Sequence, residues 1–152
     1  MLLSLIIISL IISFDQLSKF LIFGLPAKSI IGDFLWFESH QNTGAAFSML
    51  SGNNLFFIIL TSVACIGLFF IIYSKTFMTK KIEKFALSLI FGGAVSNLFD
   101  RIIFSYVRDF IYLKFINFAI FNIADMAITI GAGLLIISIL FFQKKELKDD
   151  RT

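Results

Sequence analysis

The sequence predicts an all-α integral membrane protein of four transmembrane helices, with a β-type stretch between the first and second. Three observations carry that prediction. The 152 residues are 59% hydrophobic with a single proline, and the mean hydropathy is +0.95. A water-soluble domain of this length carries more charge and more loop-forming residues. Apolar runs at about 3–24, 54–74, 85–105 and 121–142 each approach the ~20 residues that cross a bilayer. Basic residues gather in two places: Lys75, Lys80, Lys81 and Lys84 between the second and third runs, and Lys144, Lys145, Lys148 and Arg151 after the fourth.

The first run, "MLLSLIIISLIISF", lacks the basic flank and small-residue cleavage site of a removable signal, and "DQLSKFLIFGLP" continues its apolar pattern. It is therefore expected to be a retained helix. The positive-inside rule places the Lys-rich link and the C-terminal tail in the cytoplasm, and an even number of spans places the N-terminus there too. The connections 26–53 and 106–120 then face outward. The first of them, "SIIGDFLWFESHQNTGAAFSML", alternates as strands do. Within it, "NTGAAFS" reads as a tight turn leading into a small-residue strand, where Asn42 would either bond into a site or cap the turn. The second connection is short, aromatic and mixed in polarity. With no repeat, low-complexity tract or second domain in view, residues 1–152 are expected to form a single membrane domain. The tail "KKELKDDRT" reads as a solvated end.

A net charge of +3 is too small and too localised to point to nucleic acid. One cysteine, Cys65, excludes an internal disulfide framework and a cysteine-based zinc site, and one histidine, His40, excludes HExxH chemistry. No metal or cofactor is expected. Cys65 reads as apolar filler and His40 as an interfacial residue. "GGAVS" at 92–96 offers small residues four apart, the usual mark of close helix packing. Ser18 and Lys19 are adjacent on a helix and point to different faces, which argues against a Ser/Lys hydrolase.

The acids are the informative residues. A carboxylate at the centre of a membrane helix costs about 2.5–3.5 kcal/mol on insertion scales. At ~1.5 Å rise per residue, Asp15 lies past the middle of an outward-running helix. Asp100 lies about four turns beyond Lys84, Asp109 just past the outer end of the third helix, and Asp125 one turn into the fourth. All four share the outer depth, which suggests one outward-opening polar pocket. Each has a structural reading as well. Asp15 has Lys19 at i+4. Asp100 shares a face with Asn97, near Arg101, and fits a buried hydrogen-bonded cluster joining helices. Asp109, beside Arg108, reads as a surface residue. Asp125, with Asn122 one turn earlier and no cation on its own helix, is a functional candidate.

If two of these aspartates converge in a poorly solvated site, they must share one proton. The charged member can activate water while the neutral one polarises a carbonyl, the arrangement of the aspartic proteases. A small four-span transporter that relays protons or ions through the same carboxylates is the alternative. The long β-like segment 26–53 favours the enzyme, because a peptidase needs a platform to grip an extended substrate.

Taken in order, "DQLSKF", "NTGAAFS", "GGAVSNLFDR", "VRDF" and "FNIAD" resemble the motifs of the bacterial lipoprotein signal peptidases, the type II or prolipoprotein signal peptidases. The resemblance covers nearly the whole chain. It implies an intramembrane aspartic endopeptidase of the bacterial cytoplasmic membrane that acts at the outer face. Such an enzyme removes the signal peptide of prolipoproteins just before a diacylglyceryl-modified cysteine. The family's "VxDF" and "FNxAD" motifs carry its catalytic aspartates, here Asp109 and Asp125, which overrides the surface reading of Asp109. Supporting roles fall by the same matching to Asp15, Asn42, Asn97, Asp100, Arg101 and Asn122, with Asn42 and Arg101 nearest the substrate. Segment 26–53 would form a small extracytoplasmic β-cradle. Lipid-modified prolipoproteins and membrane lipids are the implied partners, and the chain is expected to act as a monomer. Two positions depart from the family pattern. Ser96 replaces the second Gly of GGAxGN, which is expected to loosen helix contact slightly. Ala119 stands where Pro is frequent before "FNxAD".

Overall fold

The computed structural model describes residues 2–44, 52–74 and 80–149. The small-residue strand expected at 45–48, Lys75 and Arg151 lie outside the described residues. Four helices are long and apolar enough to cross a membrane: α1 (Leu2–Ile22), α2 (Asn54–Tyr73), α3 (Lys81–Phe104) and α4 (Ile123–Asp149). Their outward faces are hydrocarbon. Leu2, Phe20, Leu55, Phe70 and Phe141 each leave two thirds or more of their surface uncovered, which suits a lipid solvent and would be intolerable in water.

Helix α3 is the hub, packing against α1, α2 and α4. Its small residues decide how close the neighbours come. A Cβ added at Gly93 would lie 2.5 Å from the Ala124 carbonyl oxygen of α4, and one at Gly92 would lie 3.3 Å from the Ile8 backbone of α1. Gly131 repeats the device from α4, where a Cβ would come 2.6 Å from the Ala86 oxygen. Close packing at "GGAVS" is therefore as expected. Ser96 does something else. It is fully buried, and its hydroxyl donates to Asp15 (2.6 Å) and accepts from Gln16 (2.9 Å). At the position where slightly looser helix contact is expected, the hydroxyl ties α1 and α3 by hydrogen bonds.

Strands β1 (Lys28–Ile31), β2 (Leu35–Asn42) and β3 (Val107–Leu113) form an antiparallel sheet in that order. The β1–β2 hairpin turns at Gly32, whose φ of +46° favours glycine. Only the first two strands come from segment 26–53. The third comes from between α3 and α4, in a stretch whose mixed composition gave no strand signal. It is extended because β2 supplies its hydrogen-bonding partner: Leu35 stands opposite Leu113, and Asn42 opposite Val107. Ser105, left-handed at φ 67°, caps α3 through its N–H to the Arg101 oxygen. The chain turns back there, and β3 runs beside the end of the bundle.

Two helix boundaries differ from the apolar runs for local reasons. Helix α4 starts at Ile123 because Asn122 caps it, and it continues to Asp149, through a Lys-, Glu- and Leu-rich stretch of good helix formers. Helix α3 starts at Lys81, so part of the basic link is helical.

Gly93→Ala is expected to destabilise the protein by about 1–3 kcal/mol, the range for overpacking a tight contact. Gly133→Ala, whose new methyl meets nothing within 4 Å, should leave stability within about 0.5 kcal/mol. Thermal unfolding of the two variants in detergent checks the contrast.

Candidate active site

The start of α4 is built as a reciprocal cap. Asn122 is the N-cap residue, and its side-chain oxygen accepts the Asp125 N–H (2.9 Å), while the Asp125 carboxylate accepts the Asn122 N–H (3.2 Å). This is capping-box geometry with Asn and Asp in the roles of Ser and Glu. The intervening Ala124 N–H donates to Asp15 of α1 (2.9 Å). Helix-end donors that would otherwise be buried without partners are thus satisfied by the residues of "FNIAD" and by Asp15.

The same Asn122 reaches across to β3. Its Nδ2 donates to Asp109 Oδ1 (2.6 Å) and to Asn97 Oδ1 (3.2 Å). Asn97 in turn donates to Asp125 Oδ1 (2.8 Å), and Asn42 of β2 donates to Asp109 Oδ2 (3.0 Å). Asn42 also accepts the Gly44 N–H (3.0 Å), so it both caps a turn and bonds into the site. Each oxygen of Asp109 and Asp125 therefore receives one amide N–H from Asn42, Asn97 or Asn122. Asp109 has no exposed surface, which corrects its local reading as a surface residue. Burial, reinforced by the nearby charge of Asp125, pushes its carboxyl up to about 7 against the bonds from Asn42 and Asn122.

A cavity of about 490 Å³ opens beside this pair. Asn42, Asn97, Arg101 and Asp125 supply its polar wall, and Val107, Phe118, Met126 and Ile128 are among its apolar residues. Arg101 donates to the Gly44 oxygen (2.8 Å) and lies 5.2 Å from the centre of the Phe57 ring.

Asp15 and Asp100 stand behind this wall. Lys19, fully buried, bonds to Asp15 (2.6 Å), Asp100 (3.2 Å) and Asn97 (3.0 Å), which satisfies all three of its donors. Asp100 also receives Gln16 (3.0 Å) and Arg108, through both the Arg108 backbone N–H (3.0 Å) and its guanidinium (2.8 Å). The cluster expected around Asp100 thus joins α1, α3 and β3. Gln16, Ser96 and Arg108 were missed as members. Gln16 was the one detectable from sequence, as a further polar residue inside an apolar run beside Asp15. Arg108 joins only because the chain reverses at Ser105.

The model for the family signal peptidase (SPase) II matches residues 7–141. The chain belongs to that family. The lipoprotein signal peptidase of Brevibacillus brevis is 40% identical over 146 residues, covering 92% of this chain and 96% of that one. That of Bacillus subtilis is 36% identical, covering 92% and 94%. The lipoprotein signal peptidase of Coxiella burnetii is 43% identical, covering 86% and 85%. A bacterial membrane enzyme solved by the in meso method at 2.3 Å superposes with a TM-score of 0.81 at 38% identity, over 90% of this chain and 87% of that one. The chain is accordingly a multi-pass bacterial membrane peptidase, and nothing in these relatives supports the transporter alternative.

Asp100→Asn is expected to cost about 3–5 kcal/mol, as when one partner of a buried ion pair is removed. Asp33→Asn, which breaks an exposed 3.6 Å pair with Lys114, should cost under about 1 kcal/mol. Chemical or thermal denaturation in detergent distinguishes them.

Proposed function

We propose that this signal peptidase cleaves diacylglyceryl-modified prolipoproteins before the lipidated cysteine, with Asp109 and Asp125 as its catalytic pair. The observation that carries the reading is the Asn42–Asp109–Asn122–Asn97–Asp125 network beside a largely apolar cavity. Charge balance supports it. The cations Lys19, Arg101 and Arg108 are set among the carboxylates Asp15, Asp100, Asp109 and Asp125. One proton retained by the pair makes the group neutral, the state that burial favours. Within this proposal Asp109, which has no exposed surface, holds that proton, since burial disfavours its charged form. Asp125, which lines the cavity, is the base.

The chemistry follows in two steps. Asp125 takes a proton from water as its oxygen attacks the scissile carbonyl carbon, and the Asp109 proton passes to the carbonyl oxygen, giving a neutral gem-diol. Asp125 then protonates the departing nitrogen, the C–N bond breaks, and one hydroxyl proton returns to Asp109. Asn42 and Arg101 hold the substrate backbone from the cavity wall. Asp15, Asp100 and Asn122 orient the pair from behind the cavity, and Asn97 does so from its wall. The apolar part of the cavity and the lipid around α3 and α4 retain the acyl chains and signal helix, so both sides of the bond are held before reaction.

Orientation completes the proposal. The basic link puts both termini in the cytoplasm, and the sheet and the cavity then face outward. With Cys65→Ser as background, an impermeant maleimide should label Ser39→Cys in intact spheroplasts and Lys80→Cys only after lysis. The reverse pattern would invert the topology.

Asp109→Asn and Asp125→Asn are each expected to reduce cleavage of a purified diacylated prolipoprotein by at least about 10²–10⁴-fold while the protein stays folded. Full activity in either variant would remove the assignment. Asp109 loses its proton as pH rises through about 7. The wild-type kcat/KM should therefore fall on the alkaline side with a midpoint near 7, and also at low pH, where both carboxyls hold protons and no base remains.

A further inference from the structure

A second cavity of about 360 Å³ meets the first beside Asn42 and the 118–120 segment, which line both. Glu38, His40, Tyr112 and Asn117 line the remainder of it. We infer that this smaller cavity is the subsite for the extended segment following the scissile bond, and that Glu38 makes it favour a cationic side chain there. The inference rests on the peptidase reading above.

The contrast between the two cavities sets the direction of the substrate. The larger one lies against α3 and α4, and its Met126, Ile128 and Ile130 suit the apolar signal segment and acyl chains. Past the cleaved bond the substrate is the start of a mature protein that must leave the membrane. The wall continuous with the site on that side is the sheet, where the side chains are polar and ionisable. Asn42, bonded to Asp109, is the junction. Glu38, His40 and Asn42 of β2 all line the smaller cavity, and the β2–β3 register shifts between Phe37 and His40, so Glu38 is up to ~13 Å along the strand from Asn42 at ~3.3 Å per residue. An extended peptide covers that distance in about three or four residues.

Glu38 has its charge to offer. Among the described residues no cation pairs with it. The two lysines of this region are directed elsewhere: Lys28 stands opposite Phe37, and Lys114 lies over the Trp36 ring and pairs with Asp33. The far wall is held by Tyr112, whose hydroxyl donates to Asn117 (2.6 Å). A lysine or arginine three or four residues past the cut would meet a half-buried carboxylate, and an acidic residue would meet repulsion.

The test uses diacylated peptides identical except at the third and fourth residues after the cleaved bond, which are both Lys, both Ser or both Glu. Purified wild type, Glu38→Gln and Glu38→Lys are compared, each rate being divided by that of the same protein on the Ser peptide. The wild type should prefer Lys over Glu in kcat/KM by about two- to fivefold, the strength of a partly solvated ion pair. Glu38→Gln should bring the ratio near one, and Glu38→Lys should invert it. A wild-type ratio of one, or the same ratio in all three proteins with the Ser peptide still cleaved, would overturn the subsite and leave the peptidase reading standing. No cleavage of any peptide by the wild type would overturn both.

Discussion

The structure depends on burying four carboxylates at one end of a bundle whose other surfaces face hydrocarbon. Such groups are tolerable only if nearly every oxygen finds a donor and the total charge stays close to zero. Lys19, Arg101 and Arg108 provide the positive charge, and Gln16, Asn42, Asn97 and Asn122 provide the amide donors. The network is shared among α1, α3, α4 and two strands. It therefore joins the helices where greasy faces alone would not, since lipid is as good a partner for leucine as another helix is.

Helix α3 carries most of that arrangement. Gly92 and Gly93 let α1 and α4 approach, and Ser96, Asn97, Asp100 and Arg101 on the following turns exploit the approach with polar contacts. The closeness at Gly93 brings the Ala124 carbonyl against α3, so the first turn of α4 is held by packing as well as by its cap. Asn122 shows how little separates fold from site: one side chain caps α4, donates to Asp109 and is bonded to Asn97. A residue with that many partners cannot be assigned to stability or to chemistry alone.

Much of the fold was legible because lipid imposes a simple rule. A run of about twenty apolar residues can hardly be anything but a span, and the four runs matched four helices. The cluster around Asp100 was legible from helical spacing, and the polar atoms of "FNIAD" carry the N-x-x-D spacing of a cap. Strand β3 was not legible, because an edge segment takes its conformation from the partner it pairs with. The bonding role of Ser96 was not legible because its size was considered and its hydroxyl was not. The buried state of Asp109 was hidden locally by its charged neighbour Arg108, and only the ordered set of motifs pointed to it.

By itself the sequence determined the membrane class, the number of spans, the family and the identity of the acids, since these follow from composition, spacing and motif order along one dimension. Tertiary structure alone decided that Asp125 lines the cavity while Asp15 and Asp100 stand behind it, the third strand of the sheet, and the meeting of two cavities at Asn42. These depend on a chain reversal at Ser105 and on helices brought together at Gly92 and Gly93. Contacts between segments scores of residues apart leave no period in the sequence, and a carboxylate acquires its character from the groups that surround it after the chain has folded.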